Sequence, residues 1–236
     1  MSNMSNIKIF DSKLELAQFF GGLLKERTAQ NEKVNIALSG GSTPKAIFDE
    51  LANNYAELID WSKVHLFWGD ERCVPPTDEE SNYKMTLDHL LSKVSVPDEN
   101  VHRIQGELNP EEARAKYDTL LGDTLPVVDA LPQFDIMLLG MGDDGHTASI
   151  FPEEIDLWNA EEKCVVATHP QSGQKRVSLT GQIINHAREI YFLVTGAGKA
   201  EKLDEIINQK PGYQNYPAAL VNHPFWLLDK EAAHKL

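Results

Sequence analysis

Apolar residues in this chain fall into two alternating arrangements. Short, nearly unbroken runs recur: VNIAL at Val34–Leu38, VHLFW at Val64–Trp68, FDIMLL at 134–139, KCVVAT at 163–168, IYFLVT at 190–195 and FWLL at 225–228. Runs without polar alternation read as strands buried on both faces. Between them, amphipathic spacing predicts helices over 12–29, 44–58, 82–91, 110–121 and 198–209, with a short helical tail at the C-terminus. Strand-then-helix alternation with apolar strands implies an α/β fold whose mostly parallel sheet carries helices on both faces. The six runs above are taken to form that one sheet. No internal repeat, low-complexity tract or Pro/Gly/Ser-rich linker divides the chain, so residues 1–236 are expected to form a single α/β domain. The stretches 121–133 and 209–216 read as surface connections.

Charge narrows the partners. The formal net charge is −14, which opposes long-range attraction to nucleic acid or an anionic membrane. MSNMSNIKIF has no basic segment followed by an apolar stretch, so no signal peptide is expected. No apolar run approaches the ~18 residues of a membrane span. Cys73 and Cys164 lie far apart and form no CxxC pair, which argues against a disulfide framework or a cysteine-rich zinc site. The protein is expected in the cytoplasm.

In open α/β sheets, ligands bind outside the carboxyl ends of the strands, so the loops there are the places to expect chemistry. Ser39-Gly40-Gly41-Ser42-Thr43-Pro44-Lys45 follows the strand Val34–Leu38. Thr43 suits a helix N-cap and Pro44 the first helical position. Paired glycines, hydroxyls and a helix N-terminus make an anion site, although a capped helix with nothing bound has the same pattern. The spacing is not that of a Walker A loop.

Gly69-Asp70-Glu71-Arg72 follows the next strand. One reading gives Arg72 to an anionic ligand and Asp70 to a polar or acid–base role; a solvated turn is the other. Gly140-Met141-Gly142-Asp143-Asp144-Gly145-His146-Thr147 contains GxGxxG, yet two aspartates would repel a pyrophosphate and Pro152 arrives too soon for a long crossover helix. The loop instead places a histidine beside carboxylates, which suits a general base whose tautomer an aspartate holds. A structural histidine is the plainer reading. Gly196-Ala197-Gly198-Lys199 sets a lysine at a helix start, where it can pair with phosphate. Arg176 is a further candidate anion ligand, and each cation taken singly also fits a solvated surface. No GxSxG elbow points to covalent catalysis, and no histidine pair has zinc-binding spacing; neither a metal nor a cofactor is expected.

Taken together, LSGGSTPK, FWGDERCVPPTDEESNY, LLGMGDDGHTASIFP, KRVSLT and GAGKA resemble the bacterial and eukaryotic 6-phosphogluconolactonases, in order and over roughly residues 8–230. The resemblance implies the Rossmann-like fold of sugar-phosphate isomerases and glucosamine-6-phosphate deaminases. It also implies a small-molecule sugar-phosphate lactone as partner: hydrolysis of 6-phospho-D-glucono-1,5-lactone to 6-phosphogluconate, in the oxidative pentose phosphate pathway. It makes His146 the base that activates water; Asp144 and Asp70 are candidate helpers by their positions in the loops, and whether Asp70, Asp143 or Asp144 assists the histidine stays open. It gives phosphate and lactone binding to Gly40, Gly41, Ser42, Thr43, Arg72, Arg176 and Lys199. A monomer or weak homodimer is expected.

The deaminase relatives share the Asp-Gly-His core but continue with an acid where this chain has Phe151. A phenylalanine is expected neither to orient the histidine nor to carry protons. A non-catalytic sugar-phosphate sensor is the remaining alternative, and residues 1–30 offer no basic helix-turn-helix.

Overall fold

The computed structural model describes residues 6–236. The expectation that no signal peptide is present rests partly on residues 1–5, which lie outside the described residues. In chain order, β1 (Ile7–Phe10) leads into α1 (Lys13–Gln30), β2 (Val34–Leu38) into α2 (Ser42–Asn54), and β3 (Val64–Trp68) into the short β4 (Asp70–Arg72). Next come α3 (Asn82–Thr86), β5 (Val101–His102), α4 (Pro110–Thr124), β6 (Val127–Val128), β7 (Leu131–Pro132) and β8 (Ile136–Leu139). The chain closes with β9 (Cys164–Thr168), β10 (Lys175–Leu179), α5 (Gly181–Asn185), β11 (Glu189–Val194), α6 (Ala200–Ile207) and β12 (Phe225–Asp229).

Local chemistry explains the longer helices. At α1 the Ser12 hydroxyl accepts from the Glu15 N–H at 3.2 Å, while Glu15 accepts from the Asp11 N–H at 3.0 Å. The Ser12 contact satisfies a donor that a helix start leaves orphaned, and the Glu15 contact ties down the residue before the cap. Asn109 caps α4 in the same manner, with Pro110 at its start, where a missing N–H costs nothing.

Seven strands form the central sheet in the order β1-β12-β11-β8-β2-β3-β5, every pairing parallel. The architecture is the expected α/β, Rossmann-like one. β2 and β8 are buried at every position, as strands covered on both faces must be. Phe67, Phe134 and Phe192 are fully buried, and Phe192 stacks on Trp226 at 4.2 Å. Side chains of this size each contribute about 1.5–3 kcal/mol through burial. From β2 the chain moves outward through β3 to β5, whereas β8, β11 and β12 build the other side. The boundary between β2 and β8 is therefore the topological switch point, where the loops leaving adjacent strand ends diverge and open a crevice.

Several expectations need correction. The run at 163–168 does not join the central sheet: β9 belongs to a separate antiparallel sheet of order β4-β10-β9. Its apolar pattern indicates strand but not which sheet receives it. β1 was not anticipated, because four residues with mixed exposure carry little periodic signal. The C-terminal tail forms turns, not a helix, after Asp229 accepts the N–H of Ala232. The connection 121–133 contains the β6–β7 hairpin. Among the described residues no helix is long and apolar enough to cross a membrane.

Candidate active site

The segments that leave β2, β3, β8 and β11 meet with β10 around one cleft of about 230 Å³. It is lined by Ser39, Gly40 and Gly41, by Asp70, Arg72 and Asn82, by the β8 loop from Gly140 to Gly142 with His146 and Ala148, and by Arg176 and Lys199. The volume lies below the ~300–1,000 Å³ of sites that enclose drug-sized molecules, which fits a ligand of monosaccharide size.

His146 is held from three sides. Its Nδ1 lies 2.7 Å from Asp144 Oδ1, and its backbone N–H donates to the same oxygen at 3.1 Å. Burial works to raise the Asp144 carboxyl, but the His146 hydrogen bond, the imidazole's charge and backbone donors together hold it down to about 2. The carboxylate is thus ionised at neutral pH and can only accept. Nδ1 must carry the proton of the neutral ring, which leaves Nε2 as the free lone pair. The third contact is Phe151, whose ring lies 4.8 Å from the imidazole. Phe151 cannot hydrogen-bond the histidine, and its fully buried ring packs against one side of the imidazole.

The β8 loop makes this arrangement possible through Gly142. A Cβ there would fall 2.1 Å from His146 Nδ1 and 2.5 Å from Asp144 Oδ1. The Gly142 N–H also donates to the His146 carbonyl at 2.9 Å, closing the loop on itself.

Across the cleft stand two arginines. Arg72 of β4 and Arg176 of β10 are register partners on antiparallel strands. Arg72 gives Nη1 to the Glu80 carbonyl at 2.6 Å, and its Nε is buried without a partner. Arg176 gives Nε to Gln174 Oε1 at 3.3 Å and lies over the Phe151 ring at 5.6 Å. Burial, together with the like charge of Arg72, lowers the Arg176 guanidinium from its ordinary value. Apposed cations, neither spent on a carboxylate, are a standing cost that an anion would relieve.

The GDER segment is not a solvated turn. Asp70 is buried, accepts from Ser149 Oγ at 2.6 Å through Oδ2, and receives Asn82 Nδ2 on its carbonyl at 2.9 Å. Glu71 is buried and accepts the N–H groups of Arg72, Asn82 and Tyr83 plus the Ser81 hydroxyl. Burial pushes its carboxyl up against the pull of those donors. Glu71 therefore ties the segment from 81 to 83 beside the cleft.

The Gly-rich loop differs in detail from expectation. Gly41, at φ +108°, is the N-cap of α2, and Ser42 begins the helix with no side-chain cap. Thr43 is buried inside the first turn, its hydroxyl 2.7 Å from Thr195 Oγ1. Its preference for N-cap positions is overridden because the hydroxyl finds a partner on the end of the neighbouring β11 segment. Neither Ser42 nor Thr43 lines the cleft, whereas Ser39, Gly40 and Gly41 do. Lys199 lines the cleft and pairs with Asp143 at 2.5 Å.

Sequence reasoning missed Asn82, Ser149 and His169. Asn82 stands behind Ser81, the N-cap of α3, and a capping signature hid its second use. His169, edge-on to Phe151 at 5.3 Å, sits in a turn that gives no signal. Among the described residues no cluster of three or more His, Cys, Asp or Glu could hold a metal ion.

The chain is similar to known proteins in sequence and in fold. The pattern of the family described as glucosamine-6-phosphate isomerases/6-phosphogluconolactonase matches residues 11–226. A 6-phosphogluconolactonase of Treponema pallidum is 45% identical over 224 residues, covering 95% of this chain and 90% of its own. One from Haemophilus influenzae is 43% identical over 211 residues, 87% of this chain and 89% of its own. The solved structure of 6-phosphogluconolactonase from Trypanosoma brucei superposes with a TM-score of 0.84 at 29% identity, covering 98% of each chain.

Proposed function

The chain belongs to the glucosamine-6-phosphate isomerase/6-phosphogluconolactonase family, and from that premise we propose that it hydrolyses 6-phospho-D-glucono-1,5-lactone to 6-phosphogluconate. It acts as one α/β unit in the cytoplasm, a setting its free cysteines suit, and serves the oxidative pentose phosphate pathway. The observation that carries the reading is a single cleft holding the His146–Asp144 pair on one side and the apposed Arg72 and Arg176 on the other.

The phosphate docks on the two guanidinium groups, the Gly40 and Gly41 backbone and Lys199. Binding energy gathered at that end orients the lactone carbonyl at the other. His146 Nε2 takes a proton from water as the oxygen adds to the carbonyl. The tetrahedral intermediate then expels the ring oxygen, which receives the proton back from His146. Asp144 keeps the proton on Nδ1 and stabilises the imidazolium in between. Asp70, held by Ser149 and Asn82, supplies a second carboxylate to the cleft for the substrate hydroxyls. No covalent intermediate is needed, since the lactone opens slowly in water, and no metal enters the scheme. An aldose–ketose isomerase or deaminase would require an acid in place of Phe151.

Proton release on adding fresh lactone, measured above the spontaneous rate, tests the reading. Wild type accelerates hydrolysis, and His146→Ala lowers kcat by roughly 10²- to 10⁴-fold with little change in KM. A wild-type chain that produced no acceleration, but released ammonia from glucosamine 6-phosphate, would replace lactonase with deaminase.

A further inference from the structure

Three cations line the cleft, and they are not equivalent. Arg72 and Arg176 spend their hydrogen bonds on a carbonyl and an amide. Lys199 Nζ instead lies 2.5 Å from Asp143 Oδ1. Asp143 belongs to the β8 loop, between Gly142 and the His146 partner Asp144, but is not part of the cleft lining. Its side chain is 82% exposed, against 25% for Lys199. The pair therefore crosses the rim of the site and joins the loop after β8 to the loop after β11. From behind, that second loop is anchored where the Gly196 N–H donates to both Asp229 carboxylate oxygens, at 3.0 and 3.1 Å.

We propose that Asp143 is a built-in competitor for Lys199: it neutralises the lysine in the free protein, and the substrate phosphate must displace it. The inference rests on the reading of Lys199 as a phosphate ligand. The competition is unequal by construction. An exposed ion pair shifts an equilibrium by a factor of only about 1.5 to 5. A phosphate dianion is also held by two arginines, so it wins Lys199 easily. A lactone without phosphate has no group that can take the lysine, and the pair stays closed against it. When the anionic product leaves, Asp143 recaptures Lys199, which loosens the hold on any phosphate by the same small factor. The unpaired arginines hold the anion, and the paired lysine is released only to a ligand that brings one.

Calorimetric titration with inorganic phosphate tests this on wild type, Asp143→Asn, Lys199→Ala and the double variant. Lys199→Ala weakens phosphate binding. Asp143→Asn tightens it by about two- to fivefold, and in the Lys199→Ala background the same change has no effect. Tightening that persisted without the lysine would reduce Asp143 to one more charge in a general field and overturn the proposal. So would an Asp143→Asn protein that bound phosphate no tighter than wild type while Lys199→Ala still weakened it. If Lys199→Ala bound phosphate like wild type, the phosphate reading of Lys199 would itself fail, and the competitor with it.

Discussion

At the scale of single residues, the geometry of the cleft depends on short contacts that one methyl group would break. His146 and Asp144 approach each other because position 142 has no side chain. Gly142→Ala would drive a Cβ into Nδ1 and Oδ1. Displacement of a catalytic group by about 1 Å can cost on the order of 10²-fold, so Gly142→Ala should lower kcat by about that factor. Overpacking adds a stability cost of about 1–3 kcal/mol. Gly22→Ala, at a helical glycine with open space around it, is the matched control and should retain wild-type kcat and melt no lower. Equal kcat for the two variants would show that the dyad does not depend on the close approach at Gly142. Phe151 works at this scale too, as one ring shared by His146, Arg176 and His169.

At the scale of elements, one short strand concentrates charge beside the cleft. β4 is three residues long, yet it buries Asp70 and Glu71 and points Arg72 into the cleft. The opposite edge of the same region holds β5 against β3 through a histidine pair, His65 Nδ1 to His102 Nε2 at 3.2 Å, with His102 stacked on Phe67 at 4.4 Å. Burial, with the nearby charges of His65 and Lys33, lowers His102 from 6.5 to about 4. Between those values the unfolded chain binds a proton that the folded one does not, so stability is lost as pH falls through that window. Thermal unfolding of wild type should therefore lose more between pH 7 and pH 4.5 than that of His102→Gln. An equal loss in both would place the acid sensitivity elsewhere.

At the scale of the whole molecule, a chain of net charge −14 builds a cationic cleft by converging segments from distant parts of the sequence. Arg72 and Arg176 are brought together by antiparallel pairing outside the central sheet, and Lys199 arrives from the far side of the switch point. A ligand that ties these segments should stabilise the entire fold. At a hundred times its dissociation constant, bound product adds about 2.7 kcal/mol, a rise in Tm of roughly 5–10 °C for a domain of this size. Scanning fluorimetry with 6-phosphogluconate should show that rise in wild type, and the same ligand concentration should give Arg176→Ala far less. An undiminished rise would remove Arg176 from the binding site.

The sequence by itself determined the strand runs of β2, β3, β8, β11 and β12, the helix of α1, and the Gly-rich or charged loops that follow β2, β3, β8 and β11. Those features are local: apolar runs, cap residues and glycines act within a few positions of themselves. The motifs also carried the family resemblance, which the family match later established. Only the tertiary structure decided that β9 leaves the central sheet, that Thr43 spends its hydroxyl on Thr195, and that Glu71 is a buried anchor. It also put Phe151 against His146 and Asp143 against Lys199. Each of these depends on which distant segment supplies the partner, and a hydroxyl, a carboxylate or an aromatic ring has the same local signature whichever partner it meets.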